Sequence, residues 1–433
     1  MAKRASFSAR ARAAGPLLLG AVLLAACEFE VVNPGRVLEE DLNDIKAVEP
    51  LVVGMSSDFS TAIDDMTFLI ARASDEMAGG GSYSSTAEFR VGIIENDYVD
   101  WEWESMGRAR WVAEDGIRRM QEDIPEYQFE GNELTARAYL FLGLANRALG
   151  ESFCDVVYDG GGPEAPSAAF QRAVDALIEA LDHAQQAGAS DIELAAYGGL
   201  AQAYVGLGNW TTAVNNANMV PTDFVYNAIY HNTSGREENI NYFETHRRHE
   251  MSAYLTYADS VDPPDPRAPF TDCRLGGCPN EQGADGSTPH LRQEKYQDYG
   301  TEIPVVKGTE MRLIEAEAQL VQNGAAGIGA AIASINEVRT FWGLTLIDPT
   351  GMTEQDAWVT LDHERHLTLW IEGRRFFDIR RWDAAGLDYL PAVMWISGGT
   401  LVYQGENPRD VCIPVSESEC LTNENVKETA ACP

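Results

Sequence analysis

The sequence is short of positive charge: 32 Lys and Arg stand against 67 Asp and Glu in 433 residues, a formal charge of −35. So acidic a surface repels phosphate backbones and anionic headgroups, which argues against nucleic-acid binding and broad electrostatic adsorption to membranes. Long apolar runs are missing as well. The longest, residues 17–26, holds ten residues, roughly half of the ~20 that a spanning helix needs. There is no G-x-S-x-G, P-loop or dinucleotide fingerprint, and no pair of C-x-x-C motifs to hold zinc. His246-Arg247-Arg248-His249-Glu250 lacks the H-E-x-x-H order, and His363 with His366 lacks a third ligand, so these read as surface or packing histidines. No metal, cofactor or catalytic residue is expected. What is present is a chain 45% hydrophobic, enough for a folded core.

Residues 1–26 carry Lys3, Arg4, Arg10 and Arg12 ahead of the apolar run, the layout of a secretory signal peptide. Leu24-Ala25-Ala26-Cys27 resembles a bacterial lipobox, which implies cleavage before Cys27 and acylation of that cysteine. Several acyl chains exceed what stable attachment requires, so the expected anchor to the membrane is lipid rather than helix. Glu28 and Glu30 resemble the surface-export signals of some outer-membrane lipoproteins, a cue that does not decide sidedness; the location expected is the outer membrane, lipid-anchored and facing the cell surface.

Six further cysteines remain: Cys154, Cys273, Cys278, Cys412, Cys420 and Cys432. An even number in an exported chain favours disulfides, with fifteen possible pairings. Cys273 and Cys278 flank Arg274-Leu275-Gly276-Gly277, whose glycines permit a tight closure. Cys412 with Cys420 is the next local pair, leaving Cys154 for Cys432.

Helical spacing of apolar residues runs through 38–72, 104–122, 132–149, 167–187, 191–219, 309–322, 328–341 and 354–382. Ala195, Gly199 and Ala203 place small residues on one face, and Gly206-Leu207-Gly208-Asn209 reads as a turn into a further helix, like a tetratricopeptide unit. Prolines and glycines interrupt 221–305. The organisation expected is a signal peptide (1–26), a lipidated tether (27–37), a helical-repeat region (38–220), a loop-rich insert (221–305), and C-terminal helices and tail packed on the same body (306–433).

Glu372, Arg375, Asp378 and Arg381 recur every three residues, the spacing of alternating ion pairs on a helix. As an acid/base pair, Glu364 and Glu372 would stand ~12 Å apart on a continuous helix, beyond glycosidase separations; a structural ion network is the expected use. This stretch resembles the SusD/RagB family of outer-membrane nutrient-uptake lipoproteins, through Glu364, Arg365, Leu369, Glu372, Gly373, Arg375, Asp378, Arg381 and Trp382. Thr368 and Ile379 depart from the family pattern. Further matches follow in the family's order: Asn33-Pro34, Ser74-Asp75-Glu76, Arg137-Ala138-Tyr139, Glu315-Ala316-Glu317-Ala318, Ile335-Asn336-Glu337-Val338-Arg339 and Ile413-Pro414. The cysteines, and Gly150-Glu151-Ser152-Phe153-Cys154-Asp155, mark a divergent branch.

The resemblance implies an all-α fold, a tetratricopeptide-like helical-repeat superhelix with a loop-rich second region. It implies a lid on a SusC-like TonB-dependent transporter, capturing a glycan, oligosaccharide or peptide without altering it. The alternative is a lipid-anchored helical scaffold for envelope complexes. Sugar sites stack rings on aromatics held in loops, and Tyr83, Tyr98, Trp101, Tyr296 and Tyr299 are the candidates.

Overall fold

The computed structural model describes residues 39–233, 235, 237–387, 394–397, 400–403 and 410–432. The signal segment, the tether and Cys27 lie outside the described residues. From Glu40 onward the chain forms one unit, built on helices. The first, α1 (Val48–Ala73), buries Val52, Met55, Phe59 and Leu69. It begins later than the spacing suggests because Asp44 caps a separate short turn, accepting from the Lys46 amide. Next come α2 (Thr86–Val91), α3 (Asp100–Arg118) and α4 (Glu133–Ser152), the last capped by Asn132. Then follow α5 (Pro166–Ala187), α6 (Ser190–Gly206) and α7 (Trp210–Ala217). Proline at the start of α5 and left-handed Gly188 after its end fix the bounds of that helix. Of the apolar stripe Phe170, Ala173, Val174, Leu177, Ile178 and Leu181, the first four are buried, whereas Ile178 is exposed and Leu181 half-buried.

These helices pack in sequence, α4 on α5, α5 on α6 and α6 on α7. Small residues allow the close approach: a Cβ at Gly143 would stand 2.5 Å from Leu177, and one at Gly206 the same distance from the Phe170 ring. The loop-rich stretch holds the short α8 (Ile240–Tyr242) and α9 (Tyr257–Ser260). It also contributes to three antiparallel ladders: Met251–Ser252 pairs Ala78–Gly79, Val225–Ala228 pairs Ile303–Lys307, and Phe270–Asp272 pairs Leu291–Gln293 within the stretch itself. The Ile303–Lys307 strand leads into α10 (Gly308–Asn323), which packs against α7, α11 (Ile328–Phe341) and α12 (Glu354–Thr368). After α13 (Arg375–Ala384) comes a hairpin of Met394–Ser397 and Thr400–Tyr403, then α14 (Glu417–Thr422) in the tail. The fold is all-α with tetratricopeptide-like helix pairs, and among the described residues no helix is long and apolar enough to cross a membrane.

Two sequence expectations are corrected here. The helix over 354–382 is broken after Thr368, with left-handed backbone at Ile371 and Gly373. The break turns the chain toward the end of α1, where the Trp370 indole donates to the Glu76 carbonyl (3.0 Å) and the Ile371 amide to the Glu76 carboxylate (2.7 Å). The threefold ladder is therefore mostly not a ladder. Only Asp378 and Arg381 pair at that spacing (2.7 Å); Glu372 is shared by Lys295 and Lys307 (2.6 Å each), and Arg375 by Asp75 (2.8 Å) and Asp362 (2.7 Å). Glu364, for its part, is held by Arg267 and Arg339. All of these carboxylates are buried, and they join α1, α12, α13 and the loop-rich stretch. Burial pushes the Glu76 carboxyl up to about 8 and the Lys307 ammonium down to about 8. Burial would also raise Glu372, but its two lysines overcome this and hold it below the usual range.

Cys273–Cys278 forms as expected, but the other two pairs are exchanged: Cys154 joins Cys412, and Cys420 joins Cys432. Pairing by nearness in sequence missed a tertiary contact. Ile413 lies alongside Phe153 at the end of α4, exchanging hydrogen bonds with Ser152 (2.8 Å) and Cys154 (2.9 Å), and this brings Cys412 against Cys154.

Candidate functional site

The glycine run after α1 is explained by what lies against it. Ala78–Gly79 pairs with Met251–Ser252, and the Gly80 amide donates to the Glu250 carbonyl (2.9 Å). A Cβ at Gly81 would fall 1.8 Å from a Glu250 oxygen, and one at Gly283 would fall 2.5 Å from the Gly80 carbonyl. Only glycine admits these approaches. Buried Glu250 thereby fixes the next residue, accepting from the Ser82 amide (2.6 Å) and hydroxyl (2.8 Å) and from Arg248 (3.2 Å).

Tyr83 follows on this braced backbone. Half-buried, it donates its hydroxyl to Glu244 (2.9 Å) and sets its ring edge-on to Phe68. Two guanidiniums flank the ring, Arg248 at 4.9 Å and Arg72 at 5.5 Å from its centre. Arg72, at the end of α1, also lies 3.9 Å from Phe68 and 5.0 Å from Phe89, forming a cation–aromatic stack. Burial, aided by Glu244, raises the Tyr83 phenol to about 12, so the group stays a donor at neutral pH. Glu102, facing Arg72, is raised to about 7 by burial.

Tyr98 joins the same assembly, its ring edge-on to Phe89 at 6.4 Å and its hydroxyl beside Ser84. Beside it opens a depression of about 440 Å³ lined by Ile94, Glu95, Asn96, Asp97, Pro414 and Glu417. The tail braces this rim, Asp410 accepting from the Ile94 amide (2.8 Å). Trp101, at the start of α3, is 66% exposed. Its indole hydrogen-bonds to the side chain of buried Asp65, whose carboxyl burial raises to about 6.

The five sequence candidates thus separate. Tyr83 and Tyr98 meet around Arg72 and Phe89, with Trp101 standing open nearby on the same stretch of chain. Tyr299 is half-buried against Tyr242 (4.8 Å) and Phe243 (6.4 Å), the residue before Glu244. Tyr296 is corrected: it is 1% exposed and spends its hydroxyl on the Ile371 carbonyl (2.7 Å), so its ring is core and offers no face to a ligand. Sequence reasoning missed Arg72, Glu244, Arg248 and Glu250. The His246–Glu250 motif was the available signal, but its partner, the glycine run, lies some 170 residues away.

Polar groups of the opposing loop lie against the glycine run, where the Asp285 amide donates to the Gly80 carbonyl (2.8 Å). His249, at positive φ, is half-buried and hydrogen-bonded to Asn280 (3.1 Å). Its ring is 5.0 Å from that of His290, which burial holds down at about 4. Asp285 closes its own turn by accepting from Ser287 (2.9 Å) and Thr288 (2.8 Å). The arrangement presents aromatic rings, fixed acceptors and amide or hydroxyl donors; it aligns no nucleophile with a base.

Solved structures similar in shape have sequences only distantly similar to this one. A SusD/RagB family protein from Bacteroides thetaiotaomicron superposes with a TM-score of 0.63 at 14% identity, covering 87% of this chain and 94% of its own. A SusD-like carbohydrate-binding protein from Bacteroides vulgatus gives 0.57 at 15% identity, covering 88% and 97%. A laminarin-binding SusD-like protein gives 0.55 at 17% identity, covering 87% and 98%. No curated protein matches the sequence. The sequence model of the SusD family matches residues 209–427, half of the chain, and the chain belongs to that family.

Proposed function

We propose that this chain is the lipid-anchored, ligand-capturing component of a TonB-dependent outer-membrane nutrient importer, binding a glycan and passing it to a SusC-like barrel. The feature that supports the reading is the group of aromatics after the glycine run, with Tyr83 and Tyr98 packed around Arg72 and Phe89 and Trp101 exposed at the start of α3. Sugars expose apolar C–H faces and a fringe of hydroxyls, and such a surface meets both. Structural relatives that bind carbohydrate, one of them laminarin, support the ligand class. The lipobox at Cys27 supports the anchor. The role is binding rather than chemistry, since the ionisable groups here are committed to holding rings and loops.

A glycan array probed with residues 28–433 tests the ligand. Retention of neutral glycans, lost in Trp101→Ala, is expected; retention of none refutes it. Extraction of the full chain from membranes in mild detergent tests the partner, with a TonB-dependent barrel expected to co-purify. A scaffold would keep protein partners yet retain no glycan.

A further inference from the structure

A second tryptophan stands uncovered on α3. Trp111 is 53% exposed, ten residues beyond Trp101. At 1.5 Å per residue the two are about 15 Å apart along the axis and about 80° apart around it, a span of roughly three or four linked hexose rings. Both indoles therefore open toward the same side of one rigid element.

The neighbouring helix completes this surface. α1 and α3 run antiparallel, with Asp58 paired to Arg108 (3.1 Å), Asp65 beside Trp101 and Ser105, and Met55 against Gly116. The same register sets Trp111 level with the turn of α1 that follows Gly54. Glycine weakens a helix interior relative to alanine, so its presence there calls for a cause. Packing does not supply one, since a Cβ at Gly54 or at Gly107 would meet no atom within 4 Å. Gly107 lies one turn before Trp111, on the flank over which a helical side chain leans. Gly107 keeps the ground beside the indole low.

The charges along this seam select against anions. Arg108 is engaged by Asp58, and Arg118 by Asp115 and Asp123. Glu104 is exposed in the same row, and the chain as a whole carries −35.

We propose that the glycan site continues as a track along the α1–α3 seam from Trp101 to Trp111 and takes an uncharged oligosaccharide of at least four hexose units. This rests on the glycan reading above and adds the length and charge of the ligand. The rings at the two ends stack on separate sugar units, and the seam carboxylates accept hydroxyl hydrogen bonds between them.

The test is calorimetric titration of residues 28–433 with α-1,4-, β-1,3- and β-1,4-linked gluco-oligosaccharides of two to eight units. Affinity is expected to climb with length, by about tenfold between two and six units, through the second stacking contact. Trp111→Ala should flatten that climb. Gly107→Gln, which fills the open flank with a better helix former, should flatten it too without lowering the thermal midpoint. An affinity independent of length in the wild type, or a climb unchanged in both variants, overturns the track while leaving the glycan reading intact. Absence of binding at every length overturns both.

Discussion

Removing the Cys154–Cys412 bond as Cys154→Ala/Cys412→Ala should be the most costly disulfide deletion in this protein. The bond closes a loop of 258 residues, against 12 for Cys420–Cys432 and 5 for Cys273–Cys278. Restricting the unfolded chain by loops of those sizes corresponds to about 5.5, about 3 and about 2 kcal/mol respectively. The long closure also pins the tail, since Ile413 is fully buried against Phe153, and Arg380 donates to the Phe153 carbonyl (2.8 Å). Urea unfolding of the three double-alanine variants, followed by far-ultraviolet circular dichroism, gives the comparison. The expected order of midpoints is lowest for 154/412, then 420/432, then 273/278. Equal losses, or the largest loss at 273/278, would refute the reasoning, and peptide mapping without reductant that recovered Cys154 joined to Cys432 would refute the connectivity behind it.

Other outcomes follow from particular contacts. Gly81→Ala drives a methyl into Glu250 and should cost about 1–3 kcal/mol, read as a lower thermal midpoint. Gly54→Ala, by contrast, meets nothing and should raise the midpoint. Glu372→Gln leaves Lys295 and Lys307 without their carboxylate and should cost about 3–5 kcal/mol in chemical denaturation. Stability should fall as pH rises from 5 to 8. Burial raises Asp65 and Asp362 to about 6, Glu102 to about 7 and Glu76 to about 8, so in this window the folded chain holds protons that the unfolded chain has released. Glu76→Gln, which mimics the protonated acid, should make the midpoint less dependent on pH; a slope of the opposite sign would contradict the assignment.

How much of this was legible in the sequence depended on the range of the interactions. The stripe of Phe170, Ala173, Val174 and Leu177 and the small residues of α6 are local patterns, and the helices they predict are present. The break after Thr368 was hidden because helical periodicity continues through it; what ends the helix is Glu76, almost 300 residues earlier in the chain. The same distance hid the partners of Glu372 and the pairing of Cys154. Of the aromatics after the glycine run, Tyr83 and Tyr98 are half-buried and Trp101 is exposed, a difference in depth that the sequence context did not show. Tyr296 failed as a candidate because a loop-rich sequence context says nothing of depth, and its ring is in the core with its hydroxyl on the Ile371 carbonyl. Arg72 carries no signal of its own, being one charge on an otherwise apolar helix end.

The most direct test of the central claim is calorimetric titration of residues 28–433 with neutral oligosaccharides, wild type beside Trp101→Ala, with folding of both checked by thermal unfolding. The account predicts saturable binding by the wild type and its loss, by about tenfold or more, in the variant. Binding of equal strength by both proteins, or by neither, would contradict it.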